Sequence, residues 1–288
     1  MRINLYTDAP KHNLALMKLS AWHKQRGDEV TLNMPIMPCD KSYASILFEH
    51  NINKYNADEY GGIAYVGRFE RGIQRERTEK RNILVSYIND CVPDYDLFHL
   101  DYSLGFTFRP CFRKCDFCKV WKIDDVDNRH LSIFSFHNTR FTKICLLNNN
   151  TFFDPQWKET FEEIWDAKLT VIDENGYDLR LMDEEKADAL RKTKFDGKIH
   201  YAWDLMKDEK KILEGLKIAP KGTVYVLIGF DTTEEEDIYR VQKIVEHGFD
   251  PYIMPYHQNK TEKRFKRFID SFMWRKYPTI ELAFKDWR

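Results

Sequence analysis

CFRKCDFC, residues 111–118, is the stretch on which the reading of this chain turns. Three of the six cysteines fall within it, Cys111, Cys115 and Cys118, at i, i+4 and i+7. Iron–sulfur clusters are held by cysteine thiolates, normally four. One tight loop here offers three, which leaves one metal position without a protein ligand. An open position marks a metal site that performs chemistry rather than one that props up a fold. The loop is entered through GFTFRP, Gly105 to Pro110, whose apolar start reads as the end of a strand.

Other readings of the same cysteines stand beside this one. Structural zinc needs a fourth ligand and usually a second spaced pair. Cys145, Cys91, His99, His130 and His137 are available to complete such a set, none in paired spacing with the loop. A disulfide knot fits poorly, because six cysteines are few for 288 residues and MRINLYTDAPK does not read as a secretory signal. A chance cluster of thiols is the remaining alternative. The formal net charge of −1 gives no global field toward nucleic acid or a membrane surface. No run approaches the roughly 18 apolar residues needed to span a bilayer. A cytoplasmic protein, in a reducing compartment, is expected.

From the amino terminus, Ile3 to Tyr6 reads as a buried strand. NLALMKLSAWHKQRG reads as a helix with Ala15, Leu19 and Trp22 on one stripe, widened by Leu14, Met17 and Ala21 and stopped at Gly27. DEVTLNMP is a second strand, and the strand–helix–strand unit implies parallel pairing. YASILFEHN, GGIAYVG and NILVSYI read as further strands, giving residues 1–92 as a small doubly wound α/β domain. GRFERGIQRERTEKR, residues 67–81, reads as a solvated basic face, with receipt of an anionic substrate or RNA phosphate as the sharper alternative.

Beyond the cysteines the pattern is regular. TKICLLNNNTFF, LTVIDENGYDLRLM, KIHYAWD, GTVYVLIGF and FDPYIMPY read as strands. Helices lie between them: DPQWKETFEEIWDAK capped by Asp154, DEEKADALRKT, DEKKILEGLKIAP, and TTEEEDIYRVQKIVEHG capped at Thr232 or Thr233. With LGFTF this makes six strands, alternating with helices as in a parallel barrel or part of one. The tail, residues 259–288, reads as a basic helix with Phe265, Phe268, Ile269, Phe272 and Met273 along a packing stripe. Parallel barrels carry function at the carboxyl ends of their strands. Those ends hold the three cysteines, Asn148 to Asn150, Asn175 with Gly176, Asp178 and Arg180, Trp203 with Asp204, Gly229 with Asp231, and Tyr256 with His257. Cys145 reads as core, and Cys39 and Cys91 as loop thiols.

The C-x3-C-x2-C spacing of Cys111, Cys115 and Cys118 after GFTFRP resembles the cluster loop of the radical S-adenosylmethionine (radical SAM) superfamily. Pro93, Asp94 and Tyr95 resemble the entry common in members that carry an amino-terminal cobalamin-binding-like domain. Pro110 stands where relatives often have glycine, which alters the loop but removes no ligand. The likeness covers about residues 93 to 258. It implies a partial (β/α)6 TIM-type barrel at 93–258, preceded by a Rossmann- or flavodoxin-like domain and followed by the tail helix. It also implies a [4Fe–4S] cluster on the three cysteines, with S-adenosylmethionine chelating the open iron. By the same resemblance Phe117 lies beside adenine, Asn148 and Asn149 contact the methionine amino group, and Arg180 pairs with its carboxylate. Asp204 takes the ribose hydroxyls and Gly229 lets the backbone approach adenine. The acidic residue of the related Gly-Gly-Glu motif is absent. The Asp-x-His-x-x-Gly pattern that ligates cobalamin is also absent, so cobalamin is not carried over. An electron donor of flavodoxin or ferredoxin type and an unidentified substrate follow from the family, the basic stretch 67–81 being the feature that suits an anionic one. The competing class is a non-catalytic zinc or Fe–S module that engages nucleic acid or a protein partner.

Overall fold

Five consecutive buried residues, Ile3 to Thr7, are what a strand enclosed on both faces of a parallel sheet requires. They form β1 (Arg2–Thr7), which is followed by α1 (Leu14–Gln25), β2 (Glu29–Leu32), β3 (Lys41–Ser45) and β4 (Glu59–Gly61). The sheet runs β2-β1-β3-β4 with every neighbouring pair parallel. The structure, a computed structural model, describes residues 1–66, 68–70, 73–76, 83–122 and 128–287. It is a mixed α/β fold with parallel sheets, and its chain divides into two units, 1–147 and 148–288.

In the first unit, Asn13 caps α1 by accepting the Leu16 N–H at 3.2 Å. The buried side of α1 is Leu16, Met17, Leu19, Ser20 and His23, which keeps Met17 and Leu19 of the expected stripe and adds Leu16 and two polar residues. The polar members are satisfied: Ser20 Oγ donates to Asp94 at 2.6 Å, and the His23 ring bonds Asp28 at 2.6 Å and the Tyr43 hydroxyl at 3.2 Å. Ala15 and Trp22 are left half-buried. Two expected strands are not strands. GGIAYVG ends β4 and passes into a 3-10 turn at Ile63–Val66, in which the Tyr65 N–H donates to the Gly62 carbonyl at 3.3 Å and both Ala64 and Tyr65 are buried. NILVSYI ends in a helical turn, α2 (Ser86–Asn89), with Leu84 and Ile88 packed inward at i and i+4. Of the basic stretch 67–81, residues 68–70 and 73–76 form the antiparallel pair β5 (Arg68–Glu70) and β6 (Ile73–Glu76). Its positions 67, 71–72 and 77–81 lie outside the described residues.

The Pro93-Asp94-Tyr95 segment ties the approach to the cysteine loop into this unit. Asp94 accepts from Ser20 and, at 2.7 Å, from Lys24, both on α1. Tyr95 is buried; its hydroxyl donates to the Phe136 carbonyl and accepts the Leu104 N–H at 3.4 Å. Burial pushes its pKa up to about 12. The strand it supports, β7 (Ser103–Gly105), pairs in parallel with β8 (Lys143–Leu146). Phe136 lies over Gly105 so closely that a Cβ there would stand 2.4 Å from the ring. Tyr95→Phe should cost about 1–3 kcal/mol, because a buried carbonyl and N–H lose their partner. A denaturant midpoint unchanged from the parent would contradict this.

The second unit alternates α3 (Trp157–Asp166), β9 (Thr170–Ile172), α4 (Glu184–Lys192), β10 (Ile199–Ala202), α5 (Glu209–Ile218), β11 (Gly222–Ile228), α6 (Glu234–Glu246) and β12 (Asp250–Pro255). Strands β10, β11 and β12 pair in parallel, and single parallel bridges join Val171 to Phe195 and Tyr177 to Tyr201. Thr233 caps α6 in a full capping box with Glu236. Asp154 does not cap α3; it accepts the Gln156 N–H at 2.9 Å while Gln156 takes the cap position. LTVIDENGYDLRLM is a strand only at β9 and continues through turns to a 3-10 segment at Leu179–Leu181. The tail forms α7 (Lys260–Asp270) and α8 (Ile280–Asp286). Phe265, Phe268 and Ile269 join the core with Trp274, Ile280 and Phe284. Phe272 adopts a left-handed φ of 55°, which ends α7 before it and leaves Phe272 and Met273 exposed.

Candidate functional site

Two groups of residues carry the expected chemistry, one in each unit. In the first unit the cysteine loop follows β7. Cys111, Cys115 and Cys118 are all half-buried, as is Phe117. A turn closes between them, the Cys118 N–H donating to the Cys115 carbonyl at 3.0 Å. The indole N–H of Trp121 donates to the same carbonyl at 2.8 Å. The Val120 N–H points at Cys118 Sγ, 3.4 Å away. Lys119 pairs with Glu49 and fastens the far end of the loop to the turn after β3. Backbone N–H donors at sulfur stabilise a thiolate and tune an iron–sulfur centre. In donor chemistry, then, the loop fits a cluster with one open iron. Among the described residues no three His, Cys, Asp or Glu side chains are gathered as a metal site.

In the second unit the polar residues that precede and follow the strands converge as a network. Asn148 is buried, with its side-chain N–H 3.5 Å from Thr151 Oγ1 and its carbonyl accepting from Asn175 at 3.1 Å. Asn149 is half-buried. Asn150 donates to Asp178 Oδ2 at 2.9 Å, and its own Oδ1 is buried without a hydrogen-bond partner. Arg180 grips Asp178 through two nitrogens, at 2.7 and 3.0 Å, and reaches Asp208 with a third at 2.8 Å. Its guanidinium is thus engaged by two protein carboxylates, and a ligand carboxylate would have to displace Asp208 from Nη1. These partners raise the Arg180 pKa although burial opposes them.

Asp204 follows β10. Burial is the main cause that lifts its carboxyl to about 6; the Arg180 and Arg240 charges pull the other way, and Asp178 and Asp208 add to the rise. A pKa raised in the folded state means the folded protein prefers Asp204 protonated. Stability is therefore lost as pH rises from the ordinary carboxylate value near 4 through about 6. Asp204→Asn should remove that loss and stabilise the protein at pH 7 by on the order of 2–3 kcal/mol, with no gain at pH 4. Denaturant curves at the two pH values check it; a substitution that destabilises equally at both contradicts it.

Gly229 has a left-handed φ of 75°, and its N–H donates to Asp237 at 3.2 Å. A Cβ there would lie 2.4 Å from Glu262 Oε1, so the glycine is set against a buried carboxylate on α7. Trp203 is fully buried and its indole N–H donates to the Leu205 carbonyl at 3.2 Å, which makes it core rather than part of a strand-end site. Tyr256 and His257 are exposed, with Tyr256 edge-on to Phe230 at 4.8 Å. Cys145 is fully buried on β8, as expected.

Sequence reasoning missed Arg240. It is 0 % exposed and donates to the carbonyls of Trp203 at 2.7 Å, Asp204 at 3.0 Å and Leu227 at 2.6 Å, and to Asp237. It clasps the ends of β10 and β11 from α6. Its signal was present: Asp237, Arg240, Val241 and Ile244 share the buried stripe of that helix at i, i+3, i+4 and i+7. Among the described residues no helix is long and apolar enough to cross a membrane. No protein-family model, curated protein or solved structure matches the chain.

Proposed function

We propose that this chain is a radical SAM enzyme carrying one [4Fe–4S] cluster on Cys111, Cys115 and Cys118. One observation carries the reading: three half-buried cysteines at C-x3-C-x2-C spacing in the loop after a parallel strand, with a backbone N–H directed at one of the sulfurs. Bound there, the cluster supplies the electron that cleaves S-adenosylmethionine to methionine and a 5′-deoxyadenosyl radical, which abstracts hydrogen from the substrate. Phe117 offers a ring to adenine, and the amides of Asn148 and Asn149 accept from the methionine amino group. Asp204 accepts from the ribose hydroxyls in its ionised form, above about pH 6. Gly229 would bring its backbone to adenine from the side away from Glu262, whose carboxylate fills the space a Cβ would take. Arg180 acts by holding Asp178 and Asp208 in place as well as by its charge. On this reading residues 93–258 are the stretch of the partial (β/α)6 barrel, with 1–92 as an α/β domain lacking a cobalamin ligand and 259–288 as a packed tail. A cytoplasmic setting and a flavodoxin- or ferredoxin-type donor belong to the same proposal.

The test is anaerobic reconstitution with iron and sulfide, followed by dithionite and S-adenosylmethionine. Release of 5′-deoxyadenosine is expected. An intact cluster that releases none overturns the enzyme, and one zinc per chain with no cleavage favours the non-catalytic module.

A further inference from the structure

Within the first unit, α1, strands β3 and β4 and the segments 83–90 and 105–109 enclose a cavity of about 730 Å3. That is the size of a small-molecule site. Its wall has two chemistries. On one side stand the rings of Trp22 and Tyr87, with centroids 5.9 Å apart. Beside them Ile83 and Val85 remain 49 % and 47 % exposed, although their neighbours Leu84 and Ile88 pack inward. Apolar area left open in this way is hydrophobic driving force not yet used by folding. The polar part of the wall, which shares α1 with Trp22, holds the cations Lys18, Lys41, Arg109 and Arg129 and the carboxylates Glu59 and Asp90, of which Lys41 and Glu59 pair with each other. The Lys18 ammonium donates to the Asn89 carbonyl and, at 3.3 Å, to its side-chain oxygen. The Arg109 guanidinium lies 5.2 Å over the Phe106 ring. Burial, and secondarily the charge of Arg109, lowers the Lys18 pKa, while Asp90 offsets part of this. The cations of this wall outnumber its carboxylates, so an anion that enters is attracted on balance. Ala15, Lys18 and Trp22 share one face of α1 at i, i+3 and i+7, so the helix presents ring and cation together and leaves space at the alanine.

We propose that this cavity binds a small aromatic anion, its flat ring against Trp22 and Tyr87 and its carboxylate or phosphate on Lys18 and Arg109. Arg109 stands two residues before Cys111, which makes the occupant the substrate of the enzyme proposed above. That role rests on the radical SAM reading; the binding does not.

The full-length protein is titrated with AMP and with indole-3-acetate, which carry a ring and an anion from two sources. Adenosine and tryptamine supply the rings without the anion, and inorganic phosphate the anion without a ring. One of the two ring-bearing anions should bind about tenfold or more tighter than its counterpart and than phosphate. Its affinity should fall about tenfold in Arg109→Gln and in Tyr87→Ala, whose ring is mostly exposed, and vanish in Ala15→Phe, which fills the space. If Ala15→Phe does not fold, the other two substitutions decide. Equal binding of charged and uncharged partners, no binding of either anion, or indifference to the substitutions overturns the proposal. Cleavage of S-adenosylmethionine without binding of either anion overturns the cavity alone. Binding by a chain that forms an intact cluster but cleaves no S-adenosylmethionine upholds the cavity and overturns only the cysteine reading.

Discussion

Replacing any one of Cys111, Cys115 and Cys118 with alanine should reduce 5′-deoxyadenosine release by the reconstituted protein to background. Two thiolates do not hold a cubane whose fourth corner is already open to a small-molecule ligand. Iron and sulfide content should fall in parallel. The fold should survive: the three side chains are half-buried in a loop and belong to neither the core around β1 nor the core of the second unit. Stability should therefore stay within about 0.5 kcal/mol of the parent, as for substitutions remote from any packed feature. Cys145→Ala is the contrasting control, since that thiol is fully buried on β8 and its loss acts on packing while cleavage persists. A single-cysteine variant that keeps both cluster and cleavage would remove those positions from the ligand set.

The largest loss of stability should come from Arg240→Met. Methionine approximates the volume of the chain but withdraws a charge on which Asp237, itself 5 % exposed, depends. Three carbonyls lose donors at the same time. Removing one partner of a buried pair typically costs about 3–5 kcal/mol, because the other is left charged in a poorly solvated place. Urea unfolding should show that loss with an unchanged slope. A cost below about 1 kcal/mol would mean that water or a neighbouring group replaces the guanidinium.

The regular half of the chain was legible because its signals are local. Asp183 and Thr233 cap α4 and α6 where their sequence spacing indicates, and β10, β11 and β12 fall within the apolar runs assigned to them. The strand order β2-β1-β3-β4 extends the parallel unit read from the first 32 residues. Legibility failed where partners distant in sequence decide. Ser20 and His23 join Leu16, Met17 and Leu19 on the buried side of α1 because Asp28, Tyr43 and Asp94 wait there, and nothing in the helix itself declares those partners. NILVSYI carries strand-forming residues, yet the core takes Leu84 and Ile88 and so selects a helical spacing. The cysteine loop is plain in sequence as a donor set. Arg180 illustrates the opposite limit: its type suits a carboxylate, and the carboxylates it meets are Asp178 and Asp208 of its own chain.

The Tyr95 hydroxyl and the Phe136 ring, one bonded to the Phe136 carbonyl and the other laid on Gly105, pin the departure and the return of the cysteine-bearing excursion to a single anchorage. Contour length between two joined points enters free energy only logarithmically, at about 0.6 kcal/mol per doubling. Residues can thus be gained or lost in that excursion at little thermodynamic expense only where they leave the anchorage, the Lys119–Glu49 tie, the Leu131–Thr107 hydrogen bond and the spacing of the three cysteines untouched. Evolution of new ligand preferences has a cheap route there, whereas the knot of Gly105, Tyr95 and Phe136 admits almost no variation.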